Sequence, residues 1–245
     1  MIRVGELFAG IGGIGLGLEM AGGFEVAWQV ERETYAQKVL AKNWPGIPLH
    51  DDVKTFPPDN SDKWKVDMIA GGFPCQDISA AGKGAGLDGD RSGLFYEIIR
   101  IAGVLRPRYI LLENVPALLT RGLSEVLRSL AESGYDAQWR VLSAAEMGAP
   151  HLRKRIFIFA TLADTDHASR QLHRENRRVG RGQRAKASSA RASRGDNRSS
   201  EPDLGRVAHG VPSRVDRLRC LGNAVVPQCV AWLADNWILP AIKSR

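Results

Sequence analysis

Residues 2–13 read IRVGELFAGIGG: an apolar run, Ile2–Leu7, then a glycine turn that opens a helical stretch reaching about Ala21. A strand that breaks into glycines and reopens as a helix is the first half of a strand–helix–strand unit. The partner strand follows at Phe24–Val30, with a helix from about Glu33 to Lys42. Met68–Ala70, Tyr109–Glu113, Trp139–Ser143 and Ile156–Ala160 read as further strands, with helical segments near Gly93–Leu105 and Leu123–Ser133 between them. This alternation predicts an α/β fold: a Rossmann-like, mostly parallel sheet with helices on both faces. Ligands of such sheets bind beyond the carboxyl ends of the strands. Within Gln228–Ile242, Val230, Leu233, Trp237 and Ile238 recur at helical spacing, so a C-terminal helix is expected to pack back onto the sheet.

The chain has 245 residues, 44% hydrophobic and 25% charged, a globular composition with enough length for one sizeable core or two small ones. No apolar run reaches about 18 residues, so no membrane span is expected. The N-terminus lacks the apolar stretch and cleavage pattern of a signal peptide. Cys75, Cys220 and Cys229 are an odd, sparse set, which argues against a disulfide framework and for a reducing, cytoplasmic location. None sits in a CxxC pair, so no cysteine-built metal site is expected.

Charge is unevenly spread. Residues 163–206 hold ten Arg and one Lys against six acids, a net of +5, whereas the rest of the chain carries only +2 of the total +7. That tract has no aromatic residue, and Leu172, Val179 and Leu204 are its only large apolar side chains. It cannot bury enough surface to offset chain entropy, so it is expected to be disordered when unbound. An Arg excess of this kind suits a polyanion such as nucleic acid, and equally a solvated linker. The chain thus divides into a cofactor-binding and catalytic domain over residues 1–162, the Arg-rich segment 163–206, and a segment 207–245 that completes the first domain.

Several residues carry chemistry. The glycine turn lets backbone approach a ligand, and the helix N-terminus behind it offers free N–H groups. Glu31 ends the second strand, where an acid can bind ribose hydroxyls, and Asp52 follows a third. Taken in that order, they suggest a nucleoside cofactor. Cys75, in Gly72-Phe73-Pro74-Cys75-Gln76, comes just past a strand end and ahead of the glycine-rich stretch AAGKGAGLDGDRSG. That placement suits a nucleophile beside a lid, while a buried structural cysteine is the alternative. Glu113 ends the apolar run YILLENV, where a carboxylate is costly unless bonded or used in acid chemistry. In HLRKR, Arg153 and Arg155 are expected to share one face of a strand and to hold a carboxylate, phosphate or base carbonyl, or else to line a solvated edge.

FAGIGG, GFPCQ, ENV, HLRKR and GNAVVP, in this order, resemble the motif series of the DNA (cytosine-5)-methyltransferase family of bacterial and phage type. The resemblance covers residues 1–161 and about 214–240. It implies S-adenosyl-L-methionine as methyl donor and cytosine in double-stranded DNA as substrate. Phe8, Gly10, Ile11, Gly13, Glu31, Asp52, Pro74, Leu94, Asn223 and Ala224 match the family's cofactor contacts. Cys75 matches its nucleophile, and Glu113, Arg153 and Arg155 match the residues that hold the target base. Three departures stand out. Arg32 follows Glu31 where an apolar or aromatic side chain is common, His151 replaces the commoner Gln of a Gln-x-Arg-x-Arg pattern, and the Arg-rich tract occupies the interval of the family's target-recognition domain.

The chemistry implied is thiolate addition by Cys75 to cytosine carbon 6, which makes carbon 5 nucleophilic. Glu113 would act at ring N3, Arg155 at the base carbonyl O2, and Arg153 would orient Glu113 or neutralise the Cys75 region. The base must leave the duplex stack first. Lys83 and Arg91 on the glycine-rich stretch would grip phosphates. Two rival readings stay open: a cofactor- and DNA-binding relative with weak or no catalysis, and an RNA cytosine methyltransferase. A separate chain supplying sequence specificity is a further expected partner.

Overall fold

A computed structural model describes residues 1–59, 61–74, 93–163 and 213–244 of the chain. By its contacts the chain divides into Met1–Leu162 with Val211–Arg245, and Ala163–Gly210. Every element below belongs to the first unit; the Arg-rich tract, apart from Ala163, lies outside the described residues.

Seven strands form one sheet: β1 (Ile2–Leu7), β2 (Phe24–Val30), β3 (Leu49–His50), β4 (Met68–Gly72), β5 (Tyr109–Asn114), β6 (Tyr135–Ser143) and β7 (Lys154–Leu162), in the order β3-β2-β1-β4-β5-β7-β6. The neighbours from β3 to β5 pair in parallel. Strand β7 runs antiparallel to both β5 and β6. The expected α/β, mostly parallel sheet is therefore present, with one antiparallel end. A parallel partner needs a crossover of a dozen or more residues, and the link from β6 to β7 is shorter than that. Strands β6 and β7 also outrun their apolar runs. Strand β6 is an edge, and exposed polar positions such as Asp136 and Gln138 interrupt the apolar pattern over its first half.

Helices cover both faces, because side chains along each strand alternate between them. On one face Leu7, Ile69, Ile110 and Leu112 meet α3 (Gly93–Leu105) and α5 (Leu123–Glu132). Helix α3 buries Phe95, Ile98, Ile101, Ala102 and Leu105, and α5 buries Leu123, Val126 and Leu130, the spacing of one helical stripe. Trp28, Phe56 and Trp64 complete this side, with ring centroids 4.5 and 5.2 Å apart, and the Trp28 indole N–H donates to the Trp64 carbonyl at 2.9 Å. On the other face Val4, Met68, Ala70 and Leu111 meet α1 (Gly13–Ala21) and α7 (Pro227–Leu233). Helix α2 (Thr34–Asn43) follows β2, and the short α4 (Leu118–Arg121) precedes α5.

The C-terminal helix packs back on the sheet as expected, but it is not continuous. Helix α7 widens into a π turn, Ala234–Ile238, and resumes as α8 (Leu239–Lys243). Pro240 supplies the reason: it lacks an N–H, and its ring crowds the carbonyl four residues back, which is in the widened turn. Helix α6 (Arg214–Asn223) was not foreseen. Val215–Lys243 has the length and hydropathy of a membrane span, in contrast to the expectation from apolar runs. The extended residues 224–226 interrupt it, and Val230, Leu233, Trp237 and Ile238 are buried against the sheet, so its apolar residues serve the core.

Candidate active site

The chain leaves β1 and goes to β2 and β3 on one side, then returns to start β4 on the other. A crevice opens at such a reversal, at the carboxyl ends of β1 and β4. The glycine turn lies there. Phe8, Gly10 and Gly12 take φ values of 53°, 56° and 82°, in the left-handed region. Gly12 is the N-cap of α1, and a Cβ on it would lie 2.3 Å from the Trp44 ring. A Cβ on Gly13 would lie 2.6 Å from the Val225 carbonyl oxygen, so the segment after α6 presses directly on the first turn of α1. These contacts need glycine for space as well as for backbone freedom.

Glu31 closes the turn. Its carboxylate accepts the Gly10 N–H at 2.7 Å through one oxygen and the Glu33 N–H at 2.7 Å through the other. Each oxygen retains lone-pair capacity for a hydroxyl. Around Gly10 no described atom lies within 4 Å of a would-be Cβ. An open glycine, helix-start amides and a carboxylate fixed beside them fit a nucleoside ligand. Ile11 is half-buried within the turn, and Phe8 and Leu94 pack against the same core cluster. Asp52, one strand further out, caps a short turn by accepting the Lys54 N–H at 2.9 Å. Asn223 and Ala224 come from the end of α6, whose Arg219 pairs with Glu33 at 3.3 Å. The turn, Glu31 and the Asn223–Ala224 segment are thus brought together, whereas Asp52 makes its bonds locally.

The second half of the site stands one and two strands along. Glu113 pairs in register with Gly72 at the end of β4, and a Cβ at Gly72 would lie 2.8 Å from its carboxylate. The Glu113 carboxylate forms an ion pair with Arg155 at 2.8 Å. Burial pushes Glu113 up to about 7, against the opposing pull of Arg155 and Arg153. Asn114 donates to the Phe73 carbonyl at 3.1 Å and accepts the Val115 N–H at 2.8 Å, which ties the end of β5 to the chain leaving β4. Pro74 is exposed at that exit. Cys75, Lys83 and Arg91 lie outside the described residues.

The arginines depart from the expected shared strand face. Strand β7 begins at Lys154, and Arg153 lies before it with φ 28°. Strand alternation therefore does not govern Arg153. Its guanidinium donates to the carbonyls of Gly222, at 2.8 Å, and of Ala224, while Arg155 takes Glu113.

Sequence reasoning passed over Glu6. It is 1% exposed on β1, accepts the Gly15 N–H at 2.9 Å and the Gln29 amide N–H at 2.9 Å, and is pushed up to about 7 by burial. The signal was available: an acid inside an apolar run, the same signal that singled out Glu113. His151 has a buried Nδ1 with no hydrogen-bond partner among the described residues.

The model of the C-5 cytosine-specific DNA methylase family matches residues 2–200. The Type II methyltransferase M.Sau3AI of Staphylococcus aureus is 37% identical over 185 residues, which are 68% of this chain and 45% of that protein. M2.BsuMI of Bacillus subtilis (strain 168) is 37% identical over 169 residues, 66% of this chain and 42% of that protein. Among solved structures, a mutant DNMT2 of Spodoptera frugiperda superposes with a TM-score of 0.57 at 27% identity, covering 67% of this chain and 51% of that one. The S. pombe Dnmt2 methyltransferase gives 0.57 at 25% identity, covering 66% and 51%. The chain spans about half the length of the curated relatives it matches.

Proposed function

The chain belongs to the C-5 cytosine-specific DNA methylase family, and from that membership we propose that it methylates carbon 5 of a flipped-out cytosine in double-stranded DNA through a covalent adduct with Cys75. The observation that carries this reading is the Glu113–Arg155 pair beside Gly72, at the same strand ends as the glycine turn held by Glu31. Phe8, Gly10, Ile11, Gly13, Glu31, Asp52, Pro74, Leu94, Asn223 and Ala224 would hold S-adenosyl-L-methionine, which would supply an electrophilic methyl group.

Cys75, next in sequence after Pro74, adds as thiolate to carbon 6 of the base. The electron pair of the 5,6 double bond then becomes available at carbon 5, which takes the methyl group. Glu113, with its carboxyl poised near neutrality, donates a proton or hydrogen bond at ring N3 while negative charge builds there. Arg155, already anchored on Glu113, orients that carboxyl and would donate to the base carbonyl O2. A solvent base takes the carbon 5 proton, the electron pair of that bond re-forms the 5,6 double bond and expels the Cys75 thiolate, and ring N3 returns its proton to Glu113.

The Arg-rich residues 163–206 engage DNA phosphates, which position a protein without specifying sequence. Base readout then comes from a separate chain or stays relaxed. Three sparse cysteines and a DNA substrate support a cytoplasmic location.

Fluorine at carbon 5 cannot leave as a proton does. DNA substituted throughout with 5-fluorocytosine is therefore expected to form a complex with the chain and S-adenosylmethionine that survives denaturing electrophoresis, and Cys75→Ala is expected to form none. A complex that persists in Cys75→Ala overturns the nucleophile. Equal trapping on matched RNA and none on DNA overturns the substrate.

A further inference from the structure

The carbonyls at the end of a helix have no partner inside it, and they attract a cation. At the end of α6 the Gly222 carbonyl is taken by the Arg153 guanidinium, which also takes the Ala224 carbonyl just beyond. The residue after Ala224 is Val225, whose carbonyl lies against Gly13 at the first turn of α1. The segment joining α6 to α7 is therefore held from two sides: by Arg153, and by the glycine turn it covers. Arg153 in turn is fixed by the start of β7, two residues from the arginine that pairs with Glu113. Its backbone occupies the left-handed region, which costs a non-glycine residue of this size free energy and persists only where surrounding contacts impose it.

We propose that Arg153 is a positioning residue that fastens the Gly222–Val225 segment over the glycine turn, so that one guanidinium joins the base-binding half of the site to the cofactor-binding half. This departs from its expected place on the target base. The proposal rests on the functional reading above in naming S-adenosylmethionine as the ligand. The clamp itself is visible without any ligand. The charge of Arg153 also reaches Glu113, where it opposes the effect of burial, so a change at the clamp is felt on the proton-donating side as well.

The test uses the full chain without DNA. Hydrogen exchange reads the amides of residues 222–226, and calorimetric titration reads S-adenosylmethionine. Arg153→Ala is expected to speed exchange at those amides and to weaken S-adenosylmethionine at least tenfold. Arg153→Lys, which keeps a cation able to donate to the same carbonyls, is expected to recover part of both. In the pH profile of methyl transfer, the limb that reports Glu113 is expected to move to higher pH in Arg153→Ala, because a neighbouring cation is gone. Wild-type exchange and wild-type affinity in Arg153→Ala overturn the proposal. If Arg153→Ala fails to fold, Arg153→Gln, which keeps the first part of the stem but is shorter and uncharged, decides by the same two measurements. A wild-type chain that binds no S-adenosylmethionine sinks the functional reading instead, while exchange at residues 222–226 still decides whether the clamp exists.

Discussion

Two buried carboxylates, one at the end of β1 and one at the end of β5, carry the same upward shift in different surroundings. Glu6 is 1% exposed and Glu113 8% exposed, and burial pushes both up to about 7. Around Glu6 the partners are neutral donors, the Gly15 N–H and the Gln29 amide, and the charges that reach it are the like charges of Glu19 and Glu31. Around Glu113 the bonded partner is the Arg155 guanidinium, the other charge that reaches it is the opposite charge of Arg153, and the chain leaving the neighbouring strand passes an exposed proline, Pro74. Glu6 stitches the first turn of α1 to β2, the strand that leads into Glu31. Glu113 lies at the carboxyl ends of the strands, the side on which sheets of this kind bind ligands. A shifted carboxylate is thus no sign of catalysis by itself; the charge of its partners separates the two cases.

The sharpest break of this comparison is at Glu113. Glu113→Gln keeps the shape and removes the proton donor, and methyl transfer is expected to fall by roughly 10²–10⁴-fold, the range for a positioned acid. S-Adenosylmethionine affinity is expected to stay near wild type. A tritium-transfer assay and calorimetry check both, and retained transfer would leave Glu113 as structural as Glu6.

Glu6→Gln reads out in stability. A carboxyl whose folded pKa lies above its unfolded value binds the proton more tightly when folded, so stability falls as pH rises from about 4.5 through 7. Full ionisation of Glu6 then costs on the order of 3 kcal/mol. The variant is expected to lose that share of the pH dependence, and to be more stable than wild type at pH 8 but not at pH 4. Thermal unfolding across that range checks it; an unchanged slope would mean that Glu6 is not the group responsible.

The smallest expected effect belongs to Glu31, a half-buried carboxylate at the same strand ends. Glu31→Ala removes the acceptor for the Gly10 and Glu33 amides. S-Adenosylmethionine binding is expected to weaken by about 1–3 kcal/mol, the cost of losing hydrogen bonds to a charged group. Unchanged affinity by calorimetry would move the sugar site away from Glu31.

The sequence by itself determined the elements that local pattern controls. The strand–glycine–helix start, the reach of Ile2–Leu7 and Phe24–Val30, a helix near Gly93–Leu105, and the placement of Glu31 and Glu113 at strand ends follow from side-chain periodicity and turn sterics, which act between near neighbours. Only the tertiary structure decided the antiparallel end of the sheet, because pairing partners of β7 are chosen by the whole sheet. It also decided which arginine serves Glu113. Arg153 and Arg155 are equivalent in a strand pattern, yet a left-handed backbone at Arg153 and carbonyls about 70 residues away send one guanidinium to α6 and leave the other on the carboxylate. Glu6 shows the same divide: its burial is written in an apolar run, but its harmlessness depends on Gly15 and Gln29, which only the packed fold brings to it.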